Sequence, residues 1–81
     1  MTVEERVKKV LVQNALKDVN PDELSLESPL IEYGVGLDSV ATLELVVALE
    51  EEFQIRIDEG EITPETLETI ESISRHITQL V

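Results

Sequence analysis

The side chain best placed to carry chemistry in this sequence is the hydroxyl of Ser39, in the run Gly36-Leu37-Asp38-Ser39-Val40. A hydrolase nucleophile in a strand-to-helix turn needs a glycine shortly after the serine, and none follows here. The single histidine, His76, lies in a polar stretch between Arg75 and Ile77, where we expect a solvated surface residue rather than a general base. The sequence therefore predicts no catalytic residues.

The abundant carboxylates do not have the spacing of a metal site. Asp58-Glu59-Gly60-Glu61 is too short for a calcium loop, which needs alternating oxygen ligands around its glycine. Glu50, Glu51 and Glu52 would bind a divalent cation only loosely. The chain has no cysteine, which excludes a disulfide, a thiolate metal site and a thiol nucleophile. We predict no metal site.

Net charge restricts the partners. Eighteen acidic and six basic residues give a formal charge of −12. Such a surface repels nucleic acid and anionic membranes, and its natural complement is a basic protein surface. The N-terminal Met1-Thr2-Val3-Glu4-Glu5 is too acidic for a signal peptide, and no apolar run approaches the ~20 residues that span a membrane. These features predict a cytoplasmic monomer that binds neither nucleic acid nor membranes.

The first part of the chain predicts a helix and a long connection. The length of 81 residues suits one domain covering 1–81. Thr2 and Glu5 have capping-box spacing, and apolar residues at helical intervals predict a helix from 3 to about 17, with Lys17 favourably near its end. Residues 18–38 form a connection whose apolar side chains should anchor it under the helices: Leu24, Leu26, Leu30 and Ile31.

The second part predicts three more helices. Asp38 is a suitable N-cap for a helix from Ser39 to about Phe53. Thr63-Pro64-Glu65 has the pattern of a short helix. Thr69 should cap a last helix with one apolar face, formed by Ile70, Ile73, Ile77 and Leu80. The fold class is all-α, a four-helix bundle of three longer helices and one short helix.

The helix from Ser39 has two separate apolar arcs. At about 100° per residue, Leu45, Val46, Leu49 and Phe53 share one arc that is wide enough to face a core. Val40, Leu43 and Val47 lie on another side, bordered by Glu44, Glu50 and Glu51. Apolar side chains rimmed by carboxylates are typical of a docking surface for a basic partner. We expect this role for Val40 and Val47, whereas Leu43 could equally be covered by the connection or the last helix.

The motif at Ser39 and the helix after it resemble the acyl carrier protein family. The residues that carry this resemblance are Gly36-Leu37-Asp38-Ser39-Val40 and Glu44-Leu45-Val46-Val47-Ala48-Leu49-Glu50-Glu51-Glu52-Phe53, together with Glu4-Glu5-Arg6-Val7-Lys8-Lys9-Val10 near the N-terminus. An Asp-Ser pair alone is common. An Asp-Ser pair at a helix start, followed by Glu-Leu-Val and three glutamates before Phe53 in an acidic chain of this length, is specific.

The resemblance implies a four-helix fold and a 4'-phosphopantetheine arm, derived from coenzyme A, on Ser39. It implies that Asp38 belongs to the motif read by a phosphopantetheinyl transferase, beside its role as an N-cap. Acyl groups would be held as thioesters and presented to acyl-loading and acyl-processing enzymes with basic docking patches. Those enzymes would bind the second helix and the loop before it, through Leu37, Val40, Leu43, Glu44, Val47, Glu50 and Glu51.

Three departures from the commonest fatty-acid pattern favour a dedicated pathway. Tyr33-Gly34-Val35-Gly36 adds a residue and a glycine, Leu37 precedes the Asp-Ser pair, and Val40 follows it. Fatty acid, polyketide and related lipid biosynthesis remain open, as does an aminoacyl or peptidyl carrier of the D-alanyl type. An unmodified acidic adaptor that binds proteins through the stripe from Val40 to Val47 is the alternative of another class.

Overall fold

The computed structural model describes residues 2–35 and 39–81, leaving aside the side chains of Ser39 and Glu59. Three α-helices account for nearly half of it: α1 (Val3–Asn14), α2 (Ser39–Phe53) and α3 (Ile70–Leu80). Short 3-10 turns lie at Pro21–Glu23, Leu30–Tyr33 and Glu59–Glu61, and the described residues contain no strand. The all-α prediction is confirmed.

The start of α1 is the predicted one, but its end is earlier. The Thr2 hydroxyl accepts a hydrogen bond from Glu5 N at 3.1 Å. The helix ends at Asn14, because Leu16 N turns back to donate to Leu11 O at 2.8 Å and Leu16 enters the core. Continued helix would place Leu16 about 140° from Leu11, away from the buried face. Lys17 therefore lies beyond the helix, and its predicted place near the helix end was wrong.

The connection between α1 and α2 is anchored partly by buried side chains and partly by backbone hydrogen bonds. Leu24 and Leu30 are buried, whereas Leu26 and Ile31 are exposed, so the expectation for this second pair was wrong. Leu26 acts through its carbonyl, which accepts from Glu71 N at 3.0 Å in the first turn of α3. Leu30 N donates to Glu68 O at 2.9 Å. The connection is thus tied to the start of α3.

The last third of the chain contains the predicted cap at Thr69, but a turn in place of the predicted short helix. Thr69 and Ser72 exchange side-chain and backbone hydrogen bonds, both of 3.0 Å, and form a capping box at α3. Residues 64–67 form only turns, closed by a hydrogen bond from Leu67 N to Thr63 O at 3.3 Å. The predicted fourth helix is a single turn, too short to gain from the cooperativity of longer helices.

One aliphatic core joins the three helices. α1 packs against both α2 and α3. The predicted core arc of α2 is buried at all four positions: Leu45, Val46, Leu49 and Phe53. On α3, Ile70, Ile73 and Ile77 are buried, whereas Leu80, on the same face at the end of the helix, is 36% exposed. This packing fixes which side of α2 remains open to solvent.

Candidate functional site

Ser39 is the first residue of α2, a helix of 15 residues. Backbone N–H groups at a helix start point outward and favour an anion. The first turn of α2 contains no acidic side chain, although the protein has 18 acidic residues. A phosphodiester at this end of α2 would therefore meet no carboxylate from that turn, and the residues fit such a group. Leu37 and Asp38, the predicted motif residues before it, lie outside the described residues.

The outer stripe of α2 is exposed. Val40, Leu43 and Val47 are 65%, 48% and 44% exposed. The alternative that the connection or the last helix covers Leu43 is therefore wrong. These side chains form a contiguous apolar surface on the side of α2 opposite the core, starting next to Ser39. We call this surface the outer stripe.

The glutamates around the outer stripe differ in their contacts. Glu44 and Glu51 are exposed, and neither forms an ion pair with a described residue. Glu50 is half-buried, and its Oε2 accepts a hydrogen bond from Ile57 N at 2.7 Å. Glu50 therefore holds the segment that follows α2, a structural role that the sequence pattern did not reveal.

Glu52 lies on the inner side of α2, facing α1. Its carboxylate contacts Arg6 Nε at 2.9 Å and Lys9 Nζ at 3.1 Å. Hydrogen bonds from Arg6 and then Lys9 hold the pKa of Glu52 below its ordinary value. The Arg6 guanidinium also lies 4.4 Å from the centre of the Phe53 ring. The three consecutive glutamates thus have separate roles, and Glu52 joins α2 to α1.

His76 is less exposed than the sequence pattern predicted. Its side chain is 21% exposed, and its Nε2 lies 3.6 Å from Glu61 Oε2. The surface role expected for this histidine was therefore wrong in part, because the Glu59–Glu61 turn folds back beside α3. That juxtaposition depends on tertiary structure and has no signal in the local sequence.

Several hollows in the described part of the molecule border α2. A groove of about 540 Å³ lies along its outer side, and its lining includes Leu43, Val47, Arg56 and Leu80. A smaller hollow of about 280 Å³ lies nearer the start of α2, between the connection and the single turn before α3, and is lined mainly by apolar residues. Sequence analysis missed two residues of the groove lining: Arg56, which lies shortly after the end of α2, and Leu80, which comes from the end of α3. No helix in the described part is long and apolar enough to cross a lipid bilayer.

Comparison with known proteins identifies the class. Residues 9–77 match the family model described as "Phosphopantetheine attachment site". The fold is similar to a holo acyl carrier protein from Nitrosomonas europaea, with a TM-score of 0.82 and 29% identity over 98% of this chain and 95% of that chain. The chain belongs to the phosphopantetheine attachment family and is a carrier protein with the acyl carrier protein fold. Its prosthetic group is covalently bound 4'-phosphopantetheine, as predicted.

Two further structures are similar to this chain. One is the crystal structure of a glycine:[carrier protein] ligase from Bradyrhizobium japonicum with its cognate carrier protein and an analogue of glycyl adenylate, which matches with a TM-score of 0.66 and 30% identity over 95% of this chain and 92% of that chain. The other contains an engineered form of that ligase with a carrier protein from Agrobacterium tumefaciens and ATP. It matches with a TM-score of 0.77 and 21% identity over 95% of this chain and 97% of that chain, and shows the fold alone.

Proposed function

We propose that Ser39 bears the 4'-phosphopantetheine arm and that the protein carries acyl intermediates of fatty acid, polyketide or related lipid biosynthesis. The observation that carries this proposal is the position of Ser39 at the first residue of α2, inside the region that matches the family model. The chain has no cysteine, and the arm supplies the thiol on which an acyl group is held as a thioester. The helix start accommodates the phosphodiester.

The rest of the chain serves recognition rather than reaction. A phosphopantetheinyl transferase reads Asp38 and Ser39, and acyl-loading and acyl-processing enzymes dock on Leu37 and the outer stripe. Glu44 and Glu51 attract basic patches on those enzymes, which raises the rate of encounter. Glu50 is also a predicted docking residue. Its carboxylate accepts a hydrogen bond from Ile57 N and still contributes its negative charge to the docking surface. The chain acts in the cytoplasm as a monomer of one domain, without catalytic activity of its own.

An aminoacyl carrier is the second candidate. It is favoured by the 30% identity to a structure in which a carrier protein is bound to a glycine:[carrier protein] ligase. Such a carrier would use the same arm and the same helix, and would differ in the enzyme that loads it. Intact mass of the protein isolated from its native cell, under conditions that preserve thioesters, distinguishes the two. An added fatty or ketoacyl mass favours the first candidate, and an added aminoacyl mass favours the second.

Attachment is tested by intact-protein mass spectrometry after incubation with coenzyme A and a broad-specificity phosphopantetheinyl transferase. Wild type should gain one phosphopantetheinyl mass, and Ser39→Ala should gain none. Ser25→Ala is the matched control, since Ser25 is an exposed serine in the connection and not part of α2. It should be modified like wild type. Modification of Ser39→Ala would place the arm elsewhere, and no modification of wild type would make the unmodified adaptor the leading alternative.

A further inference from the structure

The groove along the outer side of α2 joins the outer stripe to the end of α3. Its lining combines apolar side chains with three carboxylates and the guanidinium of Arg56. Among these, Leu43, Val47 and Leu80 are large apolar side chains with 48%, 44% and 36% of their surface exposed. Burying them would favour association, because removal of apolar surface from water is the main driving force for binding. We call this feature the Arg56 groove.

Two of the three carboxylates that line the Arg56 groove accept a backbone hydrogen bond. Glu50 Oε2 accepts from Ile57 N at 2.7 Å, and Asp58 Oδ1 accepts from Gly60 N at 2.9 Å. The Glu61 carboxylate lies 3.6 Å from His76 Nε2. Part of the hydrogen-bonding capacity of Glu50 and Asp58 is therefore used inside the chain, whereas the Glu61 contact is too long for a hydrogen bond.

Arg56 is the cation of this groove and has no such partner. It is exposed and forms no ion pair or side-chain hydrogen bond with any described residue. Most other cations are engaged: Arg6 and Lys9 with Glu52, Arg75 with Glu71, and Lys8 with the carbonyl of Leu24. A guanidinium has five N–H donors in a fixed fork, a geometry that matches a carboxylate.

We propose that the Arg56 groove binds an amphipathic helix of a partner protein that places an apolar side chain between Leu43 and Leu80 and one carboxylate on Arg56. Basic residues on the same helix face Glu44 and Glu51. The charges on the groove select this occupant, since a uniformly basic helix would bring a cation against Arg56. The inference rests on the proposed function, because the partner is one of the enzymes that dock on α2. Arg56 then determines which enzymes are accepted.

The test uses a displayed library of helical peptides with a fixed leucine face and flanking positions randomised among Lys, Glu and Gln. The target is the full chain with Ser39→Ala, so that no prosthetic arm takes part. Selected peptides should combine several lysines with a glutamate at one fixed position. Replacing Arg56 by glutamate should weaken the best peptide at least about tenfold, and exchanging its fixed glutamate for lysine should restore the affinity.

Lys17→Glu is the matched control, because it changes the net charge equally at an exposed cation that does not line the groove. It should weaken the same peptide by no more than about threefold. Peptides selected without an acidic position, equal losses for the two variants, or no selection of any peptide would overturn the proposal. Since the arm is absent from the target, these outcomes are independent of the mass-spectrometric test of Ser39. Failure of one proposal is thus distinguishable from failure of the other.

Discussion

The inner and outer sides of α2 use the same residue types for opposite purposes. On the inner side, Leu49 is buried and Glu52 is paired with Arg6 and Lys9 of α1. On the outer side, Val47 is exposed and Glu51 forms no ion pair with a described residue. The difference arises from what lies opposite each side, since a leucine or glutamate has no fixed role of its own. The inner side should therefore determine stability, and the outer side should determine partner choice.

The largest expected effect comes from truncating an apolar side chain on each side of α2. Leu49→Ala should lower the free energy of unfolding by about 2–5 kcal/mol, because it leaves a cavity among buried side chains. Val47→Ala should change it by no more than about 0.5 kcal/mol, because Val47 is already in contact with solvent. Chemical denaturation of both variants measures the two effects. Equal losses of stability in the two variants would contradict the assignment of stability to the inner side of α2.

Neutralising a glutamate on each side should give effects of opposite sign. Glu52→Gln removes the partner of Arg6 and Lys9 and should destabilise the protein at pH 7. Glu51→Gln removes one unpaired negative charge from a chain of net charge −12 and should be neutral or slightly stabilising. Thermal melts at low ionic strength, where screening is weakest, would compare them.

The pH dependence of the Glu52→Gln effect follows from its lowered pKa. A carboxyl with a folded-state pKa below its unfolded value, about 4.3 for glutamate, stabilises the fold above that unfolded value. This contribution disappears as the pH falls through the folded-state pKa. The difference between wild type and Glu52→Gln should therefore be full at pH 7 and vanish in acid. A difference that is the same at both extremes would contradict an ion-pair role for Glu52.

Two serines in α3, one buried and one at the helix start, should give the smallest changes in stability. Ser74 is 2% exposed, and its Oγ has no hydrogen-bond partner among the described residues, so Ser74→Ala should stabilise the protein by about 1 kcal/mol. Ser72→Ala removes half of the capping box with Thr69 and should destabilise it by about 1 kcal/mol. Urea denaturation resolves the signs. A loss of stability for Ser74→Ala would mean that its hydroxyl is satisfied in solution.

Much of this architecture was predictable because its signals are local. The caps at Thr2 and Thr69 depend on residues three positions away, and the bounds of α2 follow from periodicity within one helix. The predictions were wrong where a residue is positioned by tertiary packing or by a hydrogen bond to a residue far away in the chain. Leu26 is held through the hydrogen bond from Glu71 N to its carbonyl, while its side chain is exposed, and α1 ends early because Leu16 enters the core. Neither effect has a period or a spacing that the sequence displays.

The sequence by itself determined the family, the helical class, the candidate attachment residue and the two faces of α2, because each depends on motifs or periodicity within a short stretch of the chain. Only the tertiary structure decided that Leu43 is open to solvent, that Glu52 pairs with α1, and that Arg56 and Leu80 meet beside Val47. These features depend on how the segments that follow α2 pack against it. Packing couples residues far apart in the chain through the shared core, and no local pattern encodes that coupling.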